Sequence, residues 1–175
     1  MPDLVYYVAM SLDGYIATSD GGVEWLTSSG AGEDDYGYSE FYATSDALLM
    51  GSRTYEQILT FGDWPYEGKP CWVFSHRPLD VPHCEVTLTH AEPDEVLAEL
   101  SERDHHRVWL VGGAALAASF RSAGLITEYV VSVIPTILGD GIPVVRHKRT
   151  GGEAHAFGKQ TIWQRIGAAP HREKR

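Results

Sequence analysis

The segment Val108-Trp109-Leu110-Val111-Gly112-Gly113-Ala114-Ala115-Leu116-Ala117-Ala118-Ser119-Phe120 constrains the fold more than any other part of the chain. A short apolar run stops at two glycines, and a small-residue amphipathic helix follows at once. A strand that turns directly into a helix through glycines leaves bare backbone N–H groups at the helix N-terminus. That end carries roughly half a positive charge, and the missing Cβ atoms let a phosphate or pyrophosphate approach the backbone. The competing reading is a tight strand–helix turn without a ligand.

Other segments repeat the pattern. Leu4 to Ser11 is an apolar run rich in Val and Tyr that ends at Asp13-Gly14, and Tyr15-Ile16-Ala17 continues it briefly. Thr18 to Gly32 reads as loop. Asp34 or Asp35 can cap a helix running to about Thr44. Ala47 to Met50 is a second strand stopped by Gly51, and Ser52 is positioned to cap the short helix after it. Further strands are expected at Trp72–Phe74, Glu85–Leu88, Tyr129–Ile134 and Thr161–Ile166, with a helix from Pro93 to Glu102. Strands that alternate with helices imply a three-layer α/β/α fold with a mostly parallel central sheet. Ligands on such a sheet lie at the carboxyl ends of the strands. Gly51–Thr54, Ser75–Arg77 and Gly112-Gly113 all fall there.

At 175 residues the chain suits one domain, 1–175, with a full core. The net charge of −10 argues against nucleic acid or an anionic membrane as partner. An anionic ligand then needs local cations, and Arg53 and Arg77 stand out, each otherwise an ordinary surface ion pair. No apolar run reaches the length of a membrane span, and Met1-Pro2-Asp3 opens without a signal-peptide pattern, so a cytoplasmic protein is expected. Cys71 and Cys84 are too few for a disulfide framework, and Cys71, inside an apolar run, reads as a buried small residue. His105-His106 lacks further ligands at metal spacing, and no metal is expected.

Met50-Gly51-Ser52-Arg53-Thr54-Tyr55-Glu56 resembles the strand–Gly–helix segment of dihydrofolate reductases, and Val111-Gly112-Gly113-Ala114 is similar to that family's second glycine motif. Ala9-Met10-Ser11-Leu12-Asp13-Gly14-Tyr15-Ile16-Ala17 and Ile134-Pro135-Thr136-Ile137-Leu138-Gly139-Asp140-Gly141 resemble the reductase domain of the riboflavin-pathway deaminase-reductase and its stand-alone bacterial relatives. The resemblance implies a dihydrofolate-reductase-like fold that binds NADPH, and it makes a homodimer plausible. By residue, it implies that Ala9 and Ile16 meet the nicotinamide carboxamide through their backbone. Gly51, Ser52, Arg53 and Thr54 then face the cofactor phosphates, Ser75, His76 and Arg77 hold the adenosine 2′-phosphate, and Val111, Gly112, Gly113, Ala114 and Ala115 form the pyrophosphate turn. An Arg suits a 2′-phosphate because its planar fork bonds two oxygens at once.

For the chemistry, the resemblance places Asp35 where dihydrofolate reductases carry the carboxylate that orients substrate and assists protonation. A carboxyl in an apolar pocket has its pKa raised, which helps proton exchange near neutrality. The same Asp34-Asp35 pair also reads as a helix cap. Trp25, Tyr36, Tyr38 and Phe41 are candidates for lining a planar substrate's pocket, or for plain core. Riboflavin-pathway reductases carry a lysine before the first motif and a Ser, Asp, His and Arg pattern that grips a ribose phosphate. Here those stretches read Val5-Tyr6-Tyr7-Val8 and Asp35-Tyr36-Gly37-Tyr38-Ser39-Glu40-Phe41-Tyr42. The leading expectation is an NADPH-dependent reductase of a small heterocyclic substrate of the pterin or pyrimidine kind. The alternatives are an NADP-binding module without catalysis and the riboflavin-pathway 5-amino-6-(5-phosphoribosylamino)uracil reductase itself.

Overall fold

The computed structural model describes residues 1–28 and 37–145. Its elements run β1 (Asp3–Ser11), β2 (Tyr15–Ala17), α1 (Trp25–Ser28), α2 (Tyr38–Thr44), β3 (Ala47–Gly51), α3 (Ser52–Leu59), β4 (Cys71–Phe74), β5 (Val86–Thr89), α4 (Pro93–Glu102), β6 (Arg107–Gly112), α5 (Ala114–Ser122), β7 (Glu128–Ile134) and β8 (Ile142–Pro143). Six strands form one sheet in the order β5-β4-β3-β6-β1-β7, and every neighbouring pair is parallel. β2 and β8 form a separate antiparallel pair.

Alternation along the strands sorts their side chains into two cores. Ala47 and Leu49 of β3, Val108 and Leu110 of β6, and Leu4 and Tyr6 of β1 pack with Val96, Leu97 and Leu100 of α4 and Phe120 of α5. Leu48 and Met50, with Val73 and Trp109, pack with Tyr55 and Ile58 of α3, and Phe41 and Tyr42 of α2 close that side. Helices therefore cover both faces of the parallel sheet, as its continuous apolar strands require. Among the described residues no helix is long and apolar enough to cross a membrane.

Several boundaries differ from the sequence reading. α2 starts at Tyr38, and its cap position is held by Gly37 in a left-handed conformation (φ 81°), not by Asp34 or Asp35. Ser52 does not cap α3; it is the first helical residue, because β3 stays paired with β4 through Gly51–Phe74 and Gly51 becomes the cap. α1 lies in the segment read as loop, and β8 follows a stretch for which no strand is expected. The strand expected at 161–166 lies outside the described residues.

Candidate dinucleotide site at the carboxyl edge of the sheet

The strand register lines up the candidate groups. Met50 pairs with Gly112, Gly51 with Phe74, and Phe74 with Thr89, so β6, β3, β4 and β5 all end level with one another. From β3 the chain travels outward to β4 and β5, then returns as β6 on the other side of β3. α3 leaves β3 on one face of the sheet and α5 leaves β6 on the other. Adjacent strands whose connections depart in opposite directions leave a crevice between their carboxyl ends, the usual ligand position in such sheets.

Both helices that begin at this crevice have a glycine at the cap position and no side-chain cap. Their first N–H groups are therefore left without the oxygen that Ser, Thr or Asp supplies elsewhere. The two glycine turns touch: a Cβ on Gly51 would lie 3.7 Å from the Gly113 nitrogen. Thr54 closes the other side, since a Cβ on Gly113 would meet its Oγ1 at 3.1 Å. Gly112 has φ 151°, which L side chains rarely adopt, and the Gly112–Gly113 peptide bond is cis. Just before this turn the β3–β6 register shifts between Leu49 and Met50, and Val111 is the extra residue opposite them. Two uncapped helix N-termini side by side, cleared of Cβ atoms, form a cradle of the kind that can receive an anionic group.

Beside this cradle, at the ends of β4 and β5, Ser75, His76 and Arg77 face Leu88, Thr89 and His90 across an open groove of about 440 Å³. The Arg77 N–H donates to Ser75 Oγ at 3.2 Å, and that hydroxyl donates to the Arg77 carbonyl at 2.7 Å, so the loop is held in shape. The Arg77 guanidinium pairs with the Glu56 carboxylate of α3. That contact raises the Arg77 pKa and lowers that of Glu56. Arg53 is exposed on the first turn of α3 and makes no ion pair among the described residues.

At the far end of the crevice, pairing of β1 with β6 stops at Tyr6–Leu110, although β1 continues along β7 to Ser11. The β6-facing main chain of that stretch, which includes Ala9, has no strand partner among the described residues. Ile16 lies in β2, half-buried. The loop after β2 is tied to α3, where Gln57 Nε2 donates to the Gly21 carbonyl at 2.7 Å.

The aromatic candidates divide. Phe41 lies 4.5 Å from the Tyr7 ring and 5.5 Å from Trp109, packed against the core on the α3 side of the sheet. Tyr38, the first residue of α2, is about one-third exposed and lies edge-on to Trp109 at 5.7 Å. Burial, with Tyr42 and Tyr7 nearby, pushes the Tyr38 hydroxyl up to about 12. Trp25 is buried in α1. Asp35 and Tyr36 lie outside the described residues. Sequence reasoning missed Glu56 and the β5 wall of the groove. Glu56 stands 21 positions from Arg77 and carries no signal of its own, while Leu88–His90 become visible only once β5 is placed beside β4.

Comparison with known proteins bears on the family and the fold. The RibD C-terminal domain family matches residues 2–150. The uncharacterized protein YwjB of Bacillus subtilis (strain 168) is 38% identical over 141 residues, which span 80% of this chain and 80% of YwjB. The riboflavin biosynthesis protein RibD of Mycobacterium tuberculosis (strain ATCC 25618 / H37Rv) is 31% identical over 160 residues, spanning 83% of this chain but only 45% of that protein. A crystal structure of a protein from Shewanella sp. PV-4, assigned to riboflavin biosynthesis, superposes with a TM-score of 0.75 at 31% identity and 86% coverage of both chains.

Proposed function

The chain belongs to the RibD C-terminal domain family, a family of NADPH-dependent reductases, and from that premise we propose that it binds NADPH along the carboxyl edge of its sheet and reduces a small heterocyclic substrate of the pterin or pyrimidine kind. The observation that carries this reading is the contact between two uncapped, glycine-lined helix N-termini at Gly51 and Gly113, next to a groove that holds an arginine. The donor set suits the cofactor. The N–H groups of Ser52, Arg53 and Thr54 and of Ala114 and Ala115 serve the pyrophosphate, and Arg77 with Ser75 and His76 serves the 2′-phosphate. Leu88 offers the adenine an apolar wall. The unpaired main chain near Ala9, with Ile16 of β2, serves the carboxamide. NADPH when bound supplies a hydride.

Reduction of a C=N or C=O carbon by hydride leaves the heteroatom needing a proton, which the chain must provide. Asp13 is unsuited: the Ser11 hydroxyl and the Gly139 and Leu138 N–H groups hold its carboxyl below the usual range, so it stays an acceptor near neutrality. Asp20 is held low in the same way, by Thr18 and the Gly22 N–H. The resemblance to dihydrofolate reductases points instead to Asp35 as the carboxyl that delivers the proton to the substrate heteroatom and recovers it from water. Trp25, Tyr36, Tyr38 and Phe41 are the residues proposed to bind the substrate. The whole chain forms one such reductase domain, acting in the cytoplasm as a homodimer, and gel filtration tests the dimer.

A second reading, reduction of 5-amino-6-(5-phosphoribosylamino)uracil, is favoured by the 31% identity to RibD, of which the chain spans less than half. The absence of Lys and Arg from the stretch Asp35 to Tyr42 weighs against a phosphate-bearing substrate. Turnover assays with that uracil and with its dephosphorylated form separate the two. For the cofactor, fluorescence titration with NADPH and NADH is the direct test. Binding of neither below millimolar concentration defeats the proposal. Arg77→Ala is expected to weaken NADPH much more than NADH, and equal loss for both removes Arg77 from the 2′-phosphate site.

A further inference from the structure

We infer that Glu56 sets the balance between a 2′-phosphate and a free 2′-hydroxyl at the adenosine end of the site; this rests on the cofactor reading above. The juxtaposition is specific. Arg77 is the cation of the groove, and its guanidinium is engaged by the Glu56 carboxylate from the flank of α3. Ser75 fixes the main chain beneath Arg77, so the carboxylate and the guanidinium fork share one small region at the end of β4. Both side chains are about half exposed, so neither is sealed from a ligand bound at Arg77.

The charges oppose one another. With Glu56 ionised, the pair is neutral, and a 2′-phosphate dianion meets Arg77 with a carboxylate already at its fork. The phosphate must displace that carboxylate or endure its repulsion. A ribose 2′-hydroxyl meets the opposite situation, because it can donate a hydrogen bond to Glu56, the role an acidic residue takes in NAD-selective sites of other folds. Glu56 therefore penalises the phosphorylated cofactor and supports the unphosphorylated one. A chain with Arg77 alone would prefer NADPH strongly. This chain is expected to show a narrower preference.

The test is a set of dissociation constants for NADPH, NADH, adenosine 2′,5′-bisphosphate and 5′-AMP, measured on the full chain and on Glu56→Gln. The last two ligands isolate the adenosine end. Because the pair is partly exposed, the expected effect is moderate: roughly five- to tenfold tighter binding of the 2′-phosphorylated ligands. NADH and 5′-AMP are expected to weaken or hold. Glu56→Ala, with a melting curve for each variant, guards against a local packing effect of Gln. An unchanged NADPH-to-NADH ratio in both variants, or a shift toward NADH, overturns the inference while leaving the cofactor reading intact. If the unaltered chain binds none of the four ligands, the cofactor reading itself fails, and the inference with it.

Discussion

The Asp13 carboxylate accepts the main-chain N–H of Gly139 at 2.7 Å, across 126 positions of sequence. Leu138 N–H reaches the other oxygen at 3.2 Å, and the buried Ser11 hydroxyl donates to Asp13 at 2.6 Å. Val144 N–H donates to the Gly14 carbonyl at 2.9 Å, and Ser19 reaches Asp140 at 3.0 Å. Gly141 fits under this loop only without a side chain, since a Cβ would stand 2.2 Å from the Ala17 carbonyl oxygen. Ser11-Leu12-Asp13-Gly14 and Gly139-Asp140-Gly141, the two motifs most suggestive of riboflavin-type reductases, are thus halves of one clamp. Together they tie the turn between β1 and β2 to the loop that leads into β8.

The clamp predicts a pH signature. The Ser11 hydroxyl first, then the Gly139 and Leu138 N–H groups, lower the Asp13 pKa in the folded state. A depressed carboxylate stabilises the fold above its unfolded pKa of about 3.9 and loses that contribution as acid titrates it through the lower folded value. Asp13→Asn should therefore melt below the unaltered chain at neutral pH, and the gap should close as the pH falls below about 4. Thermal melts of both proteins across that range make the comparison. A gap that does not vary with pH would mean that the charge contributes nothing.

Much of the frame was legible because its signals are local. Pro93 at the first helical position and apolar residues at Val96, Leu97 and Leu100 marked α4 with its observed bounds. The apolar runs at Ala47 and Val108 marked β3 and β6, and Cys71 proved buried, its thiol pushed up to about 12 by loss of solvent. What escaped depends on distant chain. β8 is two residues long and includes a proline, so it has no alternation to read, and only its pairing with Tyr15 and Ala17 makes it a strand. Ser52 looked like a cap because Ser usually is one; pairing of Gly51 with Phe74 carried the strand one residue further. The partnership of Glu56 with Arg77 likewise exists only because β3 and β4 end level.

The glycine cradle predicts two separable effects. In Gly113→Ala the new Cβ meets Thr54 Oγ1 at 3.1 Å, closer than ordinary van der Waals contact, so stability should fall by about 1–2 kcal/mol. NADPH affinity should fall roughly tenfold, the equivalent of one weakened charge-assisted hydrogen bond. Adding Thr54→Ala should restore the melting temperature by relieving the contact. Affinity should stay low, because the methyl group still stands where the phosphate approaches. Recovery of both together would show that crowding, not exclusion of ligand, accounts for the loss.

The core beneath α4 and α5 has its own test. Phe120 is fully buried and lies edge-on to Phe74 at 5.6 Å, between α5 and the end of β4. Truncation leaves a cavity in a rigid layer, and Phe120→Ala should cost about 3–5 kcal/mol in urea unfolding. Leu at the same position should recover most of it. A loss below about 1 kcal/mol would indicate that α5 can settle onto the sheet and refill the space.

The last prediction concerns the proton. Asp13 is held ionised by Ser11 and by the N–H groups of Gly139 and Leu138, and Asp20 by Thr18 and Gly22 of its own loop, so neither can serve as an acid near neutrality. Tyr38, with its hydroxyl pushed up to about 12, stays protonated and is a poor source of rapid exchange. If Asp35 supplies the proton, Asp35→Asn should lower turnover by roughly 10²- to 10⁴-fold, the usual worth of a positioned general acid. NADPH affinity should change less than twofold, because the proposed cofactor contacts lie at the ends of β3, β4 and β6 rather than at Asp35. The pH dependence of the remaining activity should lose the limb that reports the carboxyl. Unchanged turnover would move the acid elsewhere. Intact NADPH binding without turnover of any pterin or pyrimidine, even in the unaltered chain, would instead support a dinucleotide-binding module that performs no reduction.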